Sequence, residues 1–382
     1  MSINIVITGD YCPIGRNLSS IKKGESDSLF GDFLPYATAA DLAITNIECP
    51  LTDYSKKIKK TGPNHKVPPI AITPIRNAGF KLVTLANNHI MDYGSEGLLE
   101  TMKICKQEGI DYVGVGKNLE EARKPYFIKI KEKTFAILNI TENEFSTTLG
   151  NAYGANPLNL ITNHYDIKEA KKTADYVIVI SHGGREHYQL PSPKLRERYR
   201  FFIDSGADVV VGHHSHCFSG FEKYNDKTIF YSLGNFLFDS KKRYENGMWT
   251  QGFGVSLNFT NTDVNFELIP YNQGRKENHR ISLLNEEERK VFNQKIAELN
   301  KIIIDDQLLI KEWDAFLKQY ERPYKVLLFF QNTYLRSIIK KLRIPGSFLH
   351  TKIHSMLLLN MMRCETHREI MIDILKRDFN RI

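Results

Sequence analysis

Five short apolar, β-branched runs in this chain each end abruptly in a polar cluster, and that placement requires an α/β fold. Residues 3–7 lead into Thr8-Gly9-Asp10, residues 42–45 into Asn46-Ile47-Glu48, and residues 81–85 into Asn87-Asn88-His89. Residues 176–181 lead into His182-Gly183-Gly184-Arg185-Glu186, and residues 209–211 into Gly212-His213-His214-Ser215-His216. Runs of this type read as buried strands, and in open α/β sheets function collects in the crevice beyond the strand C-termini. One placement repeated across five strands points to a site assembled from separate loops.

Further strands are expected at 134–140, 228–232, 253–259 and 264–269, with helices at 95–108 and 192–205. Early strands alternate with helices, whereas later ones follow short turns such as Tyr224-Asn225-Asp226-Lys227. Two packed sheets with some antiparallel strands, flanked by helices, fit this order better than a purely parallel sheet. Past residue 275 the pattern changes. Glycine nearly vanishes, and apolar residues recur at helical spacing at Leu327, Phe330, Tyr334, Ile338 and Leu342, with Pro323 and Pro345-Gly346 cutting the stretch into about three helical pieces. The chain therefore divides into a body, 1–275, and a helical extension, 276–382.

Charge divides the same way. Residues 322–382 hold 12 Lys/Arg against 4 Asp/Glu, so the whole excess of the net +8 lies there, and the preceding segment is balanced. Arg336, Lys340, Lys341 and Arg343 beside Ile338, Ile339 and Leu342 form a basic amphipathic stretch. It reads either as a peripheral contact with an anionic membrane surface or as a helix packing its apolar side on the body. Phe329, Phe330, Phe348, Leu349 and residues 356–359 supply apolar surface for the second reading. No known nucleic-acid motif is present, and no nucleic acid is expected as a partner. The five cysteines are scattered and free of Cys-x-x-Cys pairs, as expected of buried reduced thiols in a cytoplasmic chain. The first strand starts too early to leave room for a secretory signal, and no stretch reaches the ~20 apolar residues of a membrane span.

Asp10 and Glu48 offer carboxylates, Asn88 an amide oxygen, and His182, His214 and His216 imidazoles. This mixed oxygen and nitrogen set suits Mn, Fe or Zn, and six donors exceed what one catalytic ion takes from protein. Two adjacent ions sharing a carboxylate would use them all. In an extended loop alternate residues point one way, which would aim His214 and His216 at one point. Spacing alone leaves open whether His213 or His214 is the ligand.

The ordered segments Ile7-Thr8-Gly9-Asp10, Asn46-Ile47-Glu48-Cys49-Pro50-Leu51, Leu85-Ala86-Asn87-Asn88-His89-Ile90-Met91-Asp92-Tyr93-Gly94, Gly212-His213-His214-Ser215-His216 and Tyr231-Ser232-Leu233-Gly234-Asn235-Phe236-Leu237-Phe238-Asp239 resemble the signatures of the CapA family of bacterial capsule and poly-γ-glutamate synthesis proteins. That family is similar to the calcineurin-like metallophosphatases. The resemblance implies a four-layer α/β/β/α sandwich, here with a C-terminal, mainly helical extension. It also implies two divalent ions, with Asp10 and His216 on the first, Glu48 bridging, and Asn88, His182 and His214 on the second. His89 would act on the leaving group, oriented by Asp92, while Arg185, Glu186 and Asn235 would face substrate. The implied activity is that of a metal-dependent phosphoesterase-type hydrolase in capsule or surface-polymer synthesis, acting on a phosphoester or anionic polymer beside capsule-synthesis proteins. The alternative is a non-catalytic accessory protein that uses the pocket to bind an anionic polymer or scaffold a synthase. The superfamily pattern is broken at four places: Cys12 replaces the His of Asp-x-His, Glu48 replaces the bridging Asp, Gly183 stands where Trp is usual, and Ser215 where Pro is usual.

Overall fold

The computed structural model describes residues 2–245, 247–261, 263–327, 338, 341–342 and 352–379. Its strands, in chain order, are β1 (Ile3–Tyr11), β2 (Leu42–Ile47), β3 (Leu82–Thr84), β4 (Asp111–Val113), β5 (Val115–Gly116), β6 (Tyr126–Ile130), β7 (Lys133–Thr141) and β8 (Gly154–Ala155). They continue as β9 (Tyr176–His182), β10 (Val209–His213), β11 (Phe221–Tyr224), β12 (Lys227–Phe230), β13 (Asn235–Leu237), β14 (Gln251–Phe259), β15 (Val264–Asn272) and β16 (Ser282–Leu283).

One sheet runs β16-β15-β14-β1-β2-β3-β4, with β13 also pairing β1, and a second runs β11-β12-β10-β9-β7-β6. In the first, β1 to β4 are parallel and β14 is antiparallel to β1; in the second, β7, β9, β10 and β12 are parallel. Period-two alternation sorts the side chains into layers. Ile5, Ile7, Ile178, Ile180, Val209 and Val211 meet in a core between the sheets. Their neighbours face outward: Val6 packs with Phe30, Phe33 and Leu98 on one side, while Val177, Val179 and Val210 pack with Ile167, Tyr199 and Phe202 on the other. The expected α/β/β/α sandwich follows. The Tyr224–Lys227 turn is a tight hairpin with Asn225 and Asp226 both at positive φ, as a two-residue type I′ loop requires.

The extension is helical, but its first part belongs to the sandwich. β16 adds to the first sheet, and the helix Glu286–Ile304, opened by an Asn285–Glu288 capping box, sends Phe292, Ile296 and Leu299 into the inter-sheet core. Beyond it, Asp306–Leu327, Lys352–Arg363 and Glu365–Phe379 form a separate small core around Trp313, Phe316, Met361, Ile370 and Ile374, packed against Tyr188. Pro323 lies within a helix and does not end one, and the described residues alone hold four long helices where about three are expected. Ile338 and Leu342 are 52% and 66% exposed, whereas Arg336, Ile339, Lys340, Arg343, Pro345, Gly346, Phe329, Phe330, Phe348 and Leu349 lie outside the described residues. Among the described residues no helix is long and apolar enough to cross a membrane. The division at residue 275 therefore stands as a proposal about composition, while packing changes after Ile304.

Candidate metal centre

The parallel strands of both sheets end on one side of the molecule, and their polar clusters meet there. Asp10 lies near the end of β1, opposite Asn46 of β2 and Asn235 of β13, at a point where the β1 register shifts. Glycine at position 9 is what allows this close approach, since a Cβ there would sit 1.9 Å from Gly234 O. Glu48 follows β2, His182 closes β9, and His214 follows β10. All three, and Asp10, are buried.

Two donor groups form, and both contain Glu48. Glu48, His182 and His214 offer one set of ligand atoms within 4.8 Å of one another; Asp10, Glu48 and His216 offer another. Glu48 Oε1 lies 3.7 Å from His182 Nε2 and 3.4 Å from His216 Nε2. Asn88 joins the first group, its Oδ1 3.1 Å from His182 Nε2, which is itself 3.1 Å from His214 Nδ1. Both Glu48 oxygens are buried, and among the described residues neither has a hydrogen-bond partner. A buried carboxylate in that state is costly unless a cation answers it, and the surrounding oxygen and imidazole donors are those a divalent ion takes.

Electrostatics agree with that reading. Burial, followed by the Asp10 and Glu186 charges, pushes the Glu48 carboxyl well above its usual range. Burial pushes Asp10 up to about 7, although Asn46 Nδ2 at 2.7 Å and the His214 amide at 3.2 Å both donate to it. Burial holds His214 and His216 down to about 4, so both are neutral and available as ligands at neutral pH.

A turn separates His213 from His214. His213 still belongs to β10, and its Nε2 is 3.0 Å from Thr8 O, which removes it from the cluster. His214 and His216 have φ of 95° and 56°. Their rings converge through a left-handed turn, and the extended alternation expected from the sequence does not occur there. Asn235 is not free to meet substrate: its Nδ2 donates to His216 O and Trp249 O, so its Oδ1 accepts from His216 Nδ1 at 3.0 Å and leaves His216 Nε2 for a metal. It orients the His216 ring. Cys12, in the place of the missing His, turns to Cys49, with 3.0 Å between the sulfurs. All five cysteines are free and buried.

Beside the centre, His89 Nδ1 is 2.7 Å from Asp92 Oδ2, which also accepts from the His65 amide. Lys60 reaches into the same spot, its Nζ 3.1 Å from His89 Nδ1 and paired with Asp92 Oδ1. Sequence reasoning missed Lys60, which sits in a lysine-rich stretch indistinguishable from a solvated loop. Asn88, His89, Lys60, Arg185, Glu186 and His214 line a cavity of about 190 Å³. Asn360, Cys364, Thr366 and His367 of the C-terminal helices line it too. Arg185 rests on the ring of Tyr320, 4.7 Å from its centroid, and its buried Nε has no hydrogen-bond partner among the described residues. Phe236 and Phe238 both belong to the core, and Phe238 packs edge-on to His216.

Residues 4–240 match the model of the bacterial capsule synthesis protein PGA_cap. The chain belongs to that capsule synthesis family. It is 32% identical over 247 residues to the capsule biosynthesis protein CapA of Bacillus anthracis, covering 62% of this chain and 60% of that one. Over 233 residues it is 35% identical to the PGA biosynthesis protein CapA of Bacillus subtilis strain 168, covering 59% and 61%. A probable polyglutamine synthesis accessory protein of Mycobacterium tuberculosis is 26% identical over 53% of this chain and 57% of its own. The chain thus spans about three-fifths of the length of the curated relatives it matches. Among solved structures it is similar to a hypothetical protein from Thermus thermophilus (TM-score 0.45, 13% identity, 71% of this chain and 99% of that one). It is also similar to a 5'-nucleotidase from Candida albicans SC5314 (TM-score 0.43, 14% identity, 81% and 57%). The helices that close the cavity lie beyond the residues matched by the capsule synthesis family.

Proposed function

We propose that this chain is a metal-dependent hydrolase of the phosphoesterase type, acting in capsule or surface-polymer synthesis on two divalent ions of the Mn, Fe or Zn class. The observation that carries this reading is the Glu48 carboxylate, buried without a hydrogen-bond partner and shared by two donor groups. Asp10 and His216 would hold one ion, Asn88, His182 and His214 the other, and Glu48 both. Ions bound there would supply positive charge to a phosphoryl oxygen and acidify water.

The remaining residues divide the work. Asp92 accepts from His89 Nδ1, which leaves Nε2 as the atom that takes or gives a proton at the leaving oxygen. Burial, followed by the Lys60 charge, holds His89 well below the usual imidazole range, so the free protein carries it neutral. An anionic group beside it would favour its protonated form. Lys60 and Arg185 supply the cations for that group, with Arg185 resting on the Tyr320 ring.

The cavity volume bears on the substrate. At about 190 Å³ it is below the ~300–1,000 Å³ of sites that swallow a whole ligand, so it admits a phosphoryl-sized group with the rest of the molecule outside. A polymer would enter by its end only. The test is hydrolysis of an aryl phosphate and an aryl phosphodiester by metal-loaded protein. Turnover that disappears on chelation and in His89→Ala supports the hydrolase. No turnover by fully loaded protein on either ester would overturn it in favour of the accessory, polymer-binding reading.

A further inference from the structure

A second set of metal donors lies on the far wall of the cavity, and none of its members belongs to the six already described. Glu144, Cys364 and His367 each present a ligand atom, and the three atoms lie within 4.8 Å of one another. Glu144 comes from the loop after β7; Cys364 sits in the joint between helices Lys352–Arg363 and Glu365–Phe379; His367 stands in the first turn of the latter. A carboxylate, a thiolate and an imidazole together are a zinc set. Zn–S and Zn–N bonds of about 2.3 and 2.0 Å imply ligand-to-ligand edges of roughly 3.3–3.7 Å, so each pair in the group has to close by about 1.5 Å at most.

Surrounding contacts prepare the three atoms for an ion. Tyr324 Oη lies 2.9 Å from His367 Nδ1, which engages that nitrogen and leaves Nε2 as the one for an ion, the arrangement typical of a metal-bound histidine. Among the described residues no side chain hydrogen-bonds the Glu144 carboxylate, although burial pushes it up to about 7. Cys364 Sγ is buried, and among the described residues its hydrogen-bond acceptor is the distant Glu142 Oε2 at 3.6 Å.

We propose that Glu144, Cys364 and His367 form a third divalent-cation site, selective for zinc, that clips the C-terminal helices to the body and keeps one coordination position open to the cavity. The site is independent of the hydrolase reading, because it shares no ligand with the Glu48 centre. Its ion joins a body residue to two tail residues 220 or more positions away, so metal binding stabilises the closed wall of the cavity.

The thiolate makes the test specific, since the Glu48 centre contains no sulfur ligand. Cobalt(II) is titrated into the metal-free full-length chain, and near-ultraviolet absorption is followed for a thiolate-to-cobalt charge-transfer band. The expected result is such a band with the intensity of one thiolate-bound cobalt per chain at saturation, retained in Glu48→Gln, abolished in Cys364→Ser and weakened at least tenfold in His367→Ala. Bound zinc should fall by one ion per chain in Cys364→Ser. If Cys364→Ser does not fold, Glu144→Gln, on the body side of the site, should lose the same single zinc. Absence of the band in the unsubstituted chain overturns the proposal, and so does a band that survives Cys364→Ser.

Discussion

The Thr366 hydroxyl donates to Glu142 Oε1 at 2.8 Å, joining the last helix of the chain to the loop that follows β7. The same carboxylate takes Arg198 Nη1 at 3.0 Å, and Arg198 also reaches Glu369, which accepts from Ser192 Oγ at 2.6 Å. Asn143 donates to Glu365 from both its amides. These contacts are buried or partly buried, where removing one partner strands the other. Residues of the helical extension thereby form one wall of the cavity.

That wall predicts a substrate effect far from the motifs. Tyr320 supports Arg185 at 4.7 Å, and a cation–π contact contributes about 0.5–2 kcal/mol, so Tyr320→Ala should raise KM by roughly 2- to 30-fold with metal content unchanged. Steady-state kinetics with metal analysis measures this. An unchanged KM would mean that Arg185 does not meet the substrate.

Glu48→Gln should remove more metal than any other single substitution. Outer partners of metal ligands already cost about 10–100-fold in affinity, and Glu48 faces both donor groups directly, so the loss should be at least about 100-fold. The neutral amide keeps size and shape, which leaves charge as the cause. Metal content equal to that of the unsubstituted chain after dialysis against a weak chelator would remove Glu48 from the bridging position.

Most of the donor set is readable in the sequence because its chemistry is local. Asp10, Glu48, His182 and His214 stand directly at strand ends, where buried β-branched runs announce themselves. His216 is readable as part of a histidine run, but the reason it converges is not, since a φ of 56° follows from the turn after β10 and not from any alternation. Asn235 reads as a substrate contact because it lies in a family signature, whereas only the two carbonyls around its amide show that it orients His216. Lys60 and the tail residues are illegible for a different reason. A lysine in a lysine-rich loop is buried here by tertiary contact alone, and Thr366 meets Glu142 across 224 positions with no local pattern to signal it.

His89→Ala should separate chemistry from metal binding. His89 is in neither donor group, so metal content should stay as it is, while kcat falls by about 10²–10⁴-fold, the usual contribution of a positioned acid or base. Loss of metal comparable with that in Glu48→Gln would make His89 a ligand.

The acid limb of the pH–rate profile should belong to Asp92. Burial pushes this carboxyl up to about 6, against the Lys60 ammonium and the His65 amide that favour its charged form, with the His65 and His89 imidazoles as further titratable neighbours. Below about pH 6 Asp92 is protonated and no longer offers a charged acceptor to His89 Nδ1, so the imidazole loses both its orientation and its partner charge. Activity at saturating metal should therefore rise as pH increases through about 6 and level off above it. Asp92→Asn keeps a hydrogen-bonding oxygen but cannot ionise, so it should lower kcat at pH 7 by about 10-fold or more and flatten the limb near 6. Measuring both proteins at fixed, saturating Mn separates this limb from proton competition at Asp10, which metal saturation suppresses. An Asp92→Asn profile that keeps the same acid limb would assign it to another group and leave Asp92 with a purely structural role.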